Sequence, residues 1–165
     1  MGAGILPCAK VRGNLFFLFG KETTDGKWSD FGGSPEKNET IFQTAIREGT
    51  EELNGFLGSH SELTKRVKEH VLLDIESDTY TTIIFEIDYD LNLPLYFNNN
   101  HNFIKKQIPN ELTKENGLFE KSKIAWFSLQ EIQKHRYCFR PFYKKILDKL
   151  IEHSNEIKQN MRPTK

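Results

Sequence analysis

The sequence predicts an α/β protein, an α+β or mixed α/β sandwich rather than a serial βαβ fold. Three observations carry this. Apolar, β-prone runs open the chain, one stretch of helical period interrupts them, and further strand-like runs return before a long amphipathic segment near the C-terminus. A length of 165 residues suits a single domain, which we place at residues 1–158, with a flexible tail over 159–165.

In chain order, Ile5–Val11 and Leu15–Phe19 are apolar runs parted by Arg12-Gly13-Asn14, the mark of a hairpin. Lys21–Lys27 is a polar loop, and Trp28–Phe31 reads as a short aromatic strand stopped by Gly32-Gly33. In Glu39–Leu53 the period changes. Ile41, Phe42, Ala45 and Ile46 recur at helical spacing, and Thr40 or Asn38 suits the N-cap. Ser61–Lys68 is polar and suits a helix or a loop. Val71–Ile75 and Thr81–Tyr89, β-branched and parted by a turn at Asp78, predict a second hairpin. Leu91–Asn116 contains Pro94, Pro109 and the run Asn98-Asn99-Asn100, which predicts an irregular, mobile insertion with a short helix near Phe103–Gln107. Lys123–Phe127 returns to strand, and Ser128-Leu129-Gln130-Glu131 fits a capping box. Arg140–Lys158 predicts one long helix with Phe142, Ile146, Leu147, Leu150 and Ile151 on one side.

Lys+Arg and Asp+Glu are equal at 23 each, so the formal net charge is zero, against a surface tuned as a whole for nucleic acid or an anionic membrane. The zero is a cancellation. Gly33–Glu52 holds five acids against Lys37 and Arg47, whereas Lys134–Lys149 carries six basic residues against Asp148. Hydrophobic residues at 37% are too many for a disordered chain, and no run approaches the roughly 18 apolar residues of a membrane span. Cys8 and Cys138 make neither a disulfide framework nor a zinc-ligand spacing. The N-terminus shows no basic leader or cleavage pattern, so a cytoplasmic protein without a membrane partner is expected.

The chemistry concentrates in Gly33–Leu53. On a helix Glu48, Glu51 and Glu52 stand at i, i+3 and i+4, which puts three carboxylates on one face. Their repulsion costs about 0.2–0.5 kcal/mol per pair unless a cation sits between them. All-oxygen ligands suit a hard ion, Mg²⁺ or Mn²⁺, which keeps several waters and binds substrate phosphates as well. Next to a Gly-Gly turn that admits backbone close to an ion or a phosphate, such a face predicts hydrolysis of a phosphoanhydride. Arg47 is placed to hold Glu51 or Glu39 and so orient the cluster from behind.

Gly33, Glu39, Arg47, Glu48, Glu51 and Glu52 fall in the register of a known signature. The segment resembles the Nudix box: a Gly, five residues, Glu, seven residues, Arg-Glu, an aliphatic, any residue, Glu-Glu, any residue, Gly, an aliphatic. The resemblance implies an α/β/α sandwich with a mixed β-sheet and a catalytic loop-helix-loop. It also implies Mg²⁺- or Mn²⁺-dependent hydrolysis of a nucleoside diphosphate linked to another moiety. Within that implication Glu48 and Glu52 are the principal metal ligands, and Glu51 is a third ligand or the group that activates water. Gly33 is a backbone contact to the metal, with Arg47 and Glu39 the pair that supports the ligands. This sequence departs from the pattern at Gly49, where the family has an aliphatic, and at Asn54-Gly55, where Gly and an aliphatic end the helix. The first costs roughly 1 kcal/mol of helix stability and leaves room for a large neighbour. The second keeps a left-handed stop.

The stretch Trp28-Ser29-Asp30-Phe31-Gly32-Gly33, without the proline common before the box, is similar to Nudix proteins of large DNA viruses and protists. Some of these remove the mRNA 5′ cap. The resemblance therefore implies decapping first, with dinucleoside polyphosphates, diphosphoinositol polyphosphates or ADP-ribose as alternatives. A catalytically inactive nucleotide- or RNA-binding domain is the alternative of another class, against which the retained Arg47, Glu48, Glu51 and Glu52 argue. Arg140 and Lys144 in the basic stretch are candidate phosphate contacts, and a solvated helix face is the plainer reading. Trp28, Phe31, Tyr80, Phe97 and Phe103 are candidate base-stacking aromatics, each equally a core residue in form. Glu111, Glu115 and Glu120, in or after the insertion, are candidates for a general base carried on a lid. The sequence suits a monomer or a homodimer.

Overall fold

Strand β1 (Gly2–Val11) is apolar at both parities because both of its faces are covered: Ala3 and Ile5 enter one core, Leu6 and Cys8 the other. The computed structural model, which describes residues 1–163, places this strand at the centre of a mixed seven-stranded sheet. β1 runs antiparallel to β2 (Asn14–Glu22) and to β4 (Phe31–Gly33) along one edge and parallel to β6 (Tyr80–Glu86) along the other. β6 carries β5 (Val71–Glu76), and β2 pairs with β3 (Trp28–Ser29) and with β7 (Lys121–Ser128). The first hairpin closes in two residues, Arg12 and Gly13, at φ 50° and 80°. Those values are the primed turn that matches strand twist.

Helices cover both faces. On one side α1 (Ile41–Glu52), α2 (His60–His70) and α3 (Asn92–Gln107) set Ala45, Ile46, Leu63, Val67 and Phe97 over Ile5, Leu18, Phe31 and Ile83. On the other, α4 (Leu129–Lys134), α5 (Lys144–Glu152) and α6 (Ser154–Asn160) set Ile132, Ile146, Leu150 and Ile157 over Leu6, Phe17 and Phe19. The α/β/α sandwich is thus observed. No described helix is long and apolar enough to cross a membrane. Both cysteines are free, with Cys8 buried.

Of the two readings of Ser61–Lys68 the helix holds, started by a reciprocal capping box of Ser59 and Glu62 and held by buried Leu63 and Val67. Three other expectations change. Residues 91–116 are not irregular: α3 is 16 residues long. Pro94 falls in its first turn, where no intrahelical N–H bond is lost, and Phe97 and His101 are buried. The Asn98 side chain donates to the Ile124 carbonyl (3.2 Å) and accepts from the Ile124 N–H (2.8 Å), so it pairs with β7 as a further strand would. The long terminal helix is broken. A 3₁₀ turn at Pro141–Tyr143, α5 and α6 are separate pieces hinged at His153, which lets Ile157 and Met161 reach the core. Finally, residues expected in a flexible tail from 159 are packed. Asn160 donates to the Leu72 carbonyl at 2.8 Å, Met161 is buried, and Arg162 Nε lies 3.3 Å from Glu86. Thr164 and Lys165 lie outside the described residues.

Candidate active site

Helix α1 starts where Thr40 accepts the Gln43 N–H and Gln43 accepts the Thr40 N–H. It ends in a Schellman motif: Asn54 (φ 51°) and Gly55 (φ 72°) are left-handed, Gly55 N–H bonds Thr50 O, and Asn54 N–H bonds Glu51 O. The Asn54 side chain then accepts the Phe119 N–H at 2.9 Å, tying this helix end to the segment entering β7. Gly49 faces β1 so closely that a Cβ there would stand 2.4 Å from Ile5 Cδ1. The expected large neighbour of Gly49 is Ile5, and its contact seats the helix on the sheet.

This seating brings the acids of α1 against the Gly32–Gly33 turn. Arg47 organises them. Its guanidinium donates twice to Glu39 (2.7 and 3.0 Å), to Glu48 (3.0 Å), to Glu51 (3.4 Å) and to the Ser34 carbonyl (3.0 Å). The hydrogen bonds from Arg47 hold the Glu39 carboxyl down at about 2. A Cβ on Gly33 would meet the Glu48 carboxylate at 2.6 Å, so only glycine admits that carboxylate against the backbone. Glu52 points inward. It is buried and accepts the Gly32 N–H at 2.8 Å.

Below Glu52 lies a buried polar layer that sequence reasoning missed. Lys121 donates to Glu22 and to Ser29, and its ammonium is 3.6 Å from Glu52. Asp30 accepts from Tyr80 (2.7 Å) and Thr82 (2.8 Å), and burial raises its carboxyl to about 7. Burial alone would discharge Lys121, but Glu52 and Glu22 outweigh it and hold the ammonium charged. Neither Glu22 nor Lys121 belongs to a periodic pattern. Their one signal is cross-strand register, which places them directly opposite each other and which a strand-by-strand reading does not supply.

The site opens into a cleft of about 680 Å³ lined by Glu22, Gly32, Gly33, Arg47, Glu48, Glu51, Glu52, Arg140 and the segment Leu112–Glu120. Gly117 packs on Glu51, where a Cβ would stand 2.4 Å from the carboxylate. Of the proposed base carboxylates, Glu115 and Glu120 line the cleft. Glu111 does not, and it is paired with Lys114 at 2.6 Å. Phe31 is no substrate contact: it is fully buried in the core under α1. Trp28 packs edge-on against Phe127 (5.0 Å) and is outside the cleft lining, and Tyr80 and Phe97 are likewise buried in the core. Phe103 is exposed on α3, away from the cleft. Arg140 reaches the cleft, 3.4 Å from Glu22 and 3.3 Å from Asp25, whereas Lys144 is outside its lining. Elsewhere in the basic stretch Arg136 holds Asp148 (2.8 Å) and Lys145 holds Asp78 (2.8 Å).

The donor set fits a hard divalent ion. Six glutamates line the cleft, and burial pushes Glu48, Glu52 and Glu120 upward, so cationic charge is needed before all are ionised together. As they stand, among the described residues no three acidic, histidine or cysteine side chains converge on one point; Arg47 draws Glu48 and Glu51 to itself.

No protein-family profile matches the chain, and no curated protein matches it. Solved structures do. An Ap4A hydrolase from C. elegans superposes with TM-score 0.52 and 15% identity over 93% of this chain and 96% of that one. RenU, a Nudix hydrolase from M. smegmatis, gives 0.55 and 18% over 95% and 87%. The chain has the Nudix hydrolase fold. A bifunctional NMN adenylyltransferase/ADP-ribose pyrophosphatase from Francisella tularensis, solved with AMP and a Mn ion, gives 0.58 and 19% over 92% of this chain and 41% of that one. In this chain's version of the Nudix fold, Gly33–Leu53 forms the turn and helix that line the cleft, as the box resemblance implied.

Proposed function

We propose that this chain is a metal-dependent Nudix pyrophosphohydrolase that cleaves a nucleoside diphosphate linked to another moiety. The observation that carries the reading is that Glu48, Glu51 and Glu52 line one cleft beside the Gly32–Gly33 turn, the first two held by an Arg47 that also grips Glu39. Glu48, Glu51, Glu52 and the Gly33 backbone would hold Mg²⁺ or Mn²⁺. When bound, the ion neutralises a diphosphate and makes water a competent nucleophile near neutral pH. The chain's own part is orientation and proton handling. Gly32 N–H and Lys121 fix one oxygen of Glu52, and Arg47 is the lever from which Glu48 and Glu51 are released or held. Glu120 and Glu115, which line the same cleft, are the candidates to take a proton from attacking water, and burial raises the Glu120 carboxyl above its ordinary value. Arg140 lines the cleft paired with Glu22 and Asp25, and would turn part of its guanidinium to a substrate phosphate on binding.

For the substrate we infer a small nucleotide, a dinucleoside polyphosphate or ADP-ribose type, ahead of capped mRNA. Half of the basic stretch expected to track an RNA backbone is paired with acids: Arg136 with Asp148, Lys145 with Asp78, and Arg140 with Asp25 and Glu22. Support also comes from the neighbours described as an Ap4A hydrolase and an ADP-ribose pyrophosphatase. The test is a screen of dinucleoside polyphosphates, ADP-ribose, diphosphoinositol polyphosphates and capped RNA with Mg²⁺ and with Mn²⁺, recording product masses. We expect cleavage at a phosphoanhydride of the small nucleotides, reduced about a hundredfold or more in Glu51→Gln and in Glu52→Gln. Release of 7-methyl-GDP from capped RNA alone would instead establish decapping. Tight binding without turnover in either metal would make the chain a binding domain.

A further inference from the structure

Lys121 is fully buried, which a lysine rarely is without partners, and residues of β2, β3, β4 and α1 surround it. It opens β7 opposite Glu22 of β2. Its stem runs through a slot left by Gly20, where a Cβ would lie 2.8 Å from Lys121 Cδ. The ammonium donates to Glu22 and, at 3.0 Å, to Ser29 of β3. It stands 3.6 Å from Glu52 of α1 and 6.0 Å from the Phe31 ring centre of β4. One ammonium thus faces two buried carboxylates, both of which line the cleft. Replacing it by an uncharged group would leave Glu52 buried with no ion-pair partner and Glu22 with Arg140 alone, at 3.4 Å, an arrangement that is unfavourable unless another cation enters.

We propose that Lys121 is a built-in cation of the candidate active site: its ammonium fills, between Glu22 and Glu52, a position that a divalent ion would otherwise take, and so positions Glu52 for the cleft. This rests on the divalent-metal reading given above. A plain internal salt bridge would make a different prediction, because losing it lowers stability without creating a metal position. Lys121 is a positioning residue, acting through Glu52.

The experiment counts Mn²⁺ per chain by the loss of the free-ion paramagnetic resonance signal at about pH 8, above the ordinary carboxylate range. It also follows thermal unfolding with and without Mn²⁺. Wild type is compared with Lys121→Met, Lys121→Arg and the double variant Lys121→Met/Glu22→Gln. Lys121→Met is expected to bind one Mn²⁺ more than wild type, and its Tm to rise more on adding Mn²⁺, since a ligand of the folded state alone stabilises that state. Lys121→Arg should match wild type in both. The double variant, lacking the second carboxylate, should gain no ion. If Lys121→Met does not fold without metal, Mn²⁺ must restore it. An unchanged count with an equal Tm rise overturns the proposal. So does an extra ion in the double variant, or an unfolded Lys121→Met that Mn²⁺ does not rescue. The readout is a difference between variants, so it is decided whether or not wild type hydrolyses anything; absent turnover speaks only against the proposed function.

Discussion

Arg47 and Asp30 sit on the two sides of the same turn and do opposite things with charge. Arg47 holds the Glu39 carboxyl ionised, down at about 2, through two charge-assisted hydrogen bonds. Asp30 is enclosed by Tyr80 and Thr82, and burial favours its neutral form, with a carboxyl at about 7 against an ordinary 3.8. The sign follows from proton counting. Between those two values the folded state holds a proton that the unfolded chain has released, so stability is fully present at the acid end and declines as pH rises to about 7. Over that window Asp30 accounts for a loss of roughly 3–4 kcal/mol. Asp30→Asn cannot titrate, and its curve of stability against pH should lack this decline. Urea unfolding of both proteins at intervals from about pH 4 to 8 measures it, and parallel curves would show that Asp30 is ionised in the fold.

Among the elements, α1 and α3 owe their places to single residues that break a general rule. Glycine is a poor interior helix residue, yet Gly49→Ala should destabilise. The helix-propensity gain of about 1 kcal/mol is smaller than the strain of a methyl driven into Ile5, which is fully buried and has nowhere to go. We expect a net loss of about 1–2 kcal/mol in urea unfolding, partly recovered when Ile5→Val is added. Asparagine is likewise weak in a helix, yet Asn98 holds α3 to β7 through two hydrogen bonds to Ile124. Asn98→Ala should cost about 1–2 kcal/mol and speed hydrogen exchange at the Ile124 amide, since both backbone groups lose their partner. An Ile124 amide as protected as in wild type would mean that water or a shifted α3 replaces the side chain.

At the scale of the whole molecule, the core under α4, α5 and α6 is closed by the last turns of the chain. Deleting everything after Gln159 would remove the Asn160 bond to Leu72, the burial of Met161 and the Arg162 contact with Glu86. A loss of about 2–3 kcal/mol and a lower Tm should follow; an unchanged Tm would restore the flexible-tail expectation for these residues. The two charged poles read in the sequence also resolve differently. The acidic pole becomes a cleft, while three of the six basic residues are paired with acids, Arg140 with Asp25, Lys145 with Asp78 and Arg136 with Asp148. The sequence by itself determined the hairpins, the capped α1, the acid register from Gly33 to Glu52 and the sandwich, because each is a local period or a fixed spacing along the chain. It also foretold a large neighbour for Gly49 and a left-handed stop at Asn54. Only the tertiary structure decided that Phe31 is core, that α3 replaces an irregular insertion, and that Glu22, Ser29 and Lys121 meet beneath Glu52. Those outcomes depend on strand register and on partners as distant in sequence as Glu22 is from Lys121, and a buried charge is stable only once all its partners have arrived.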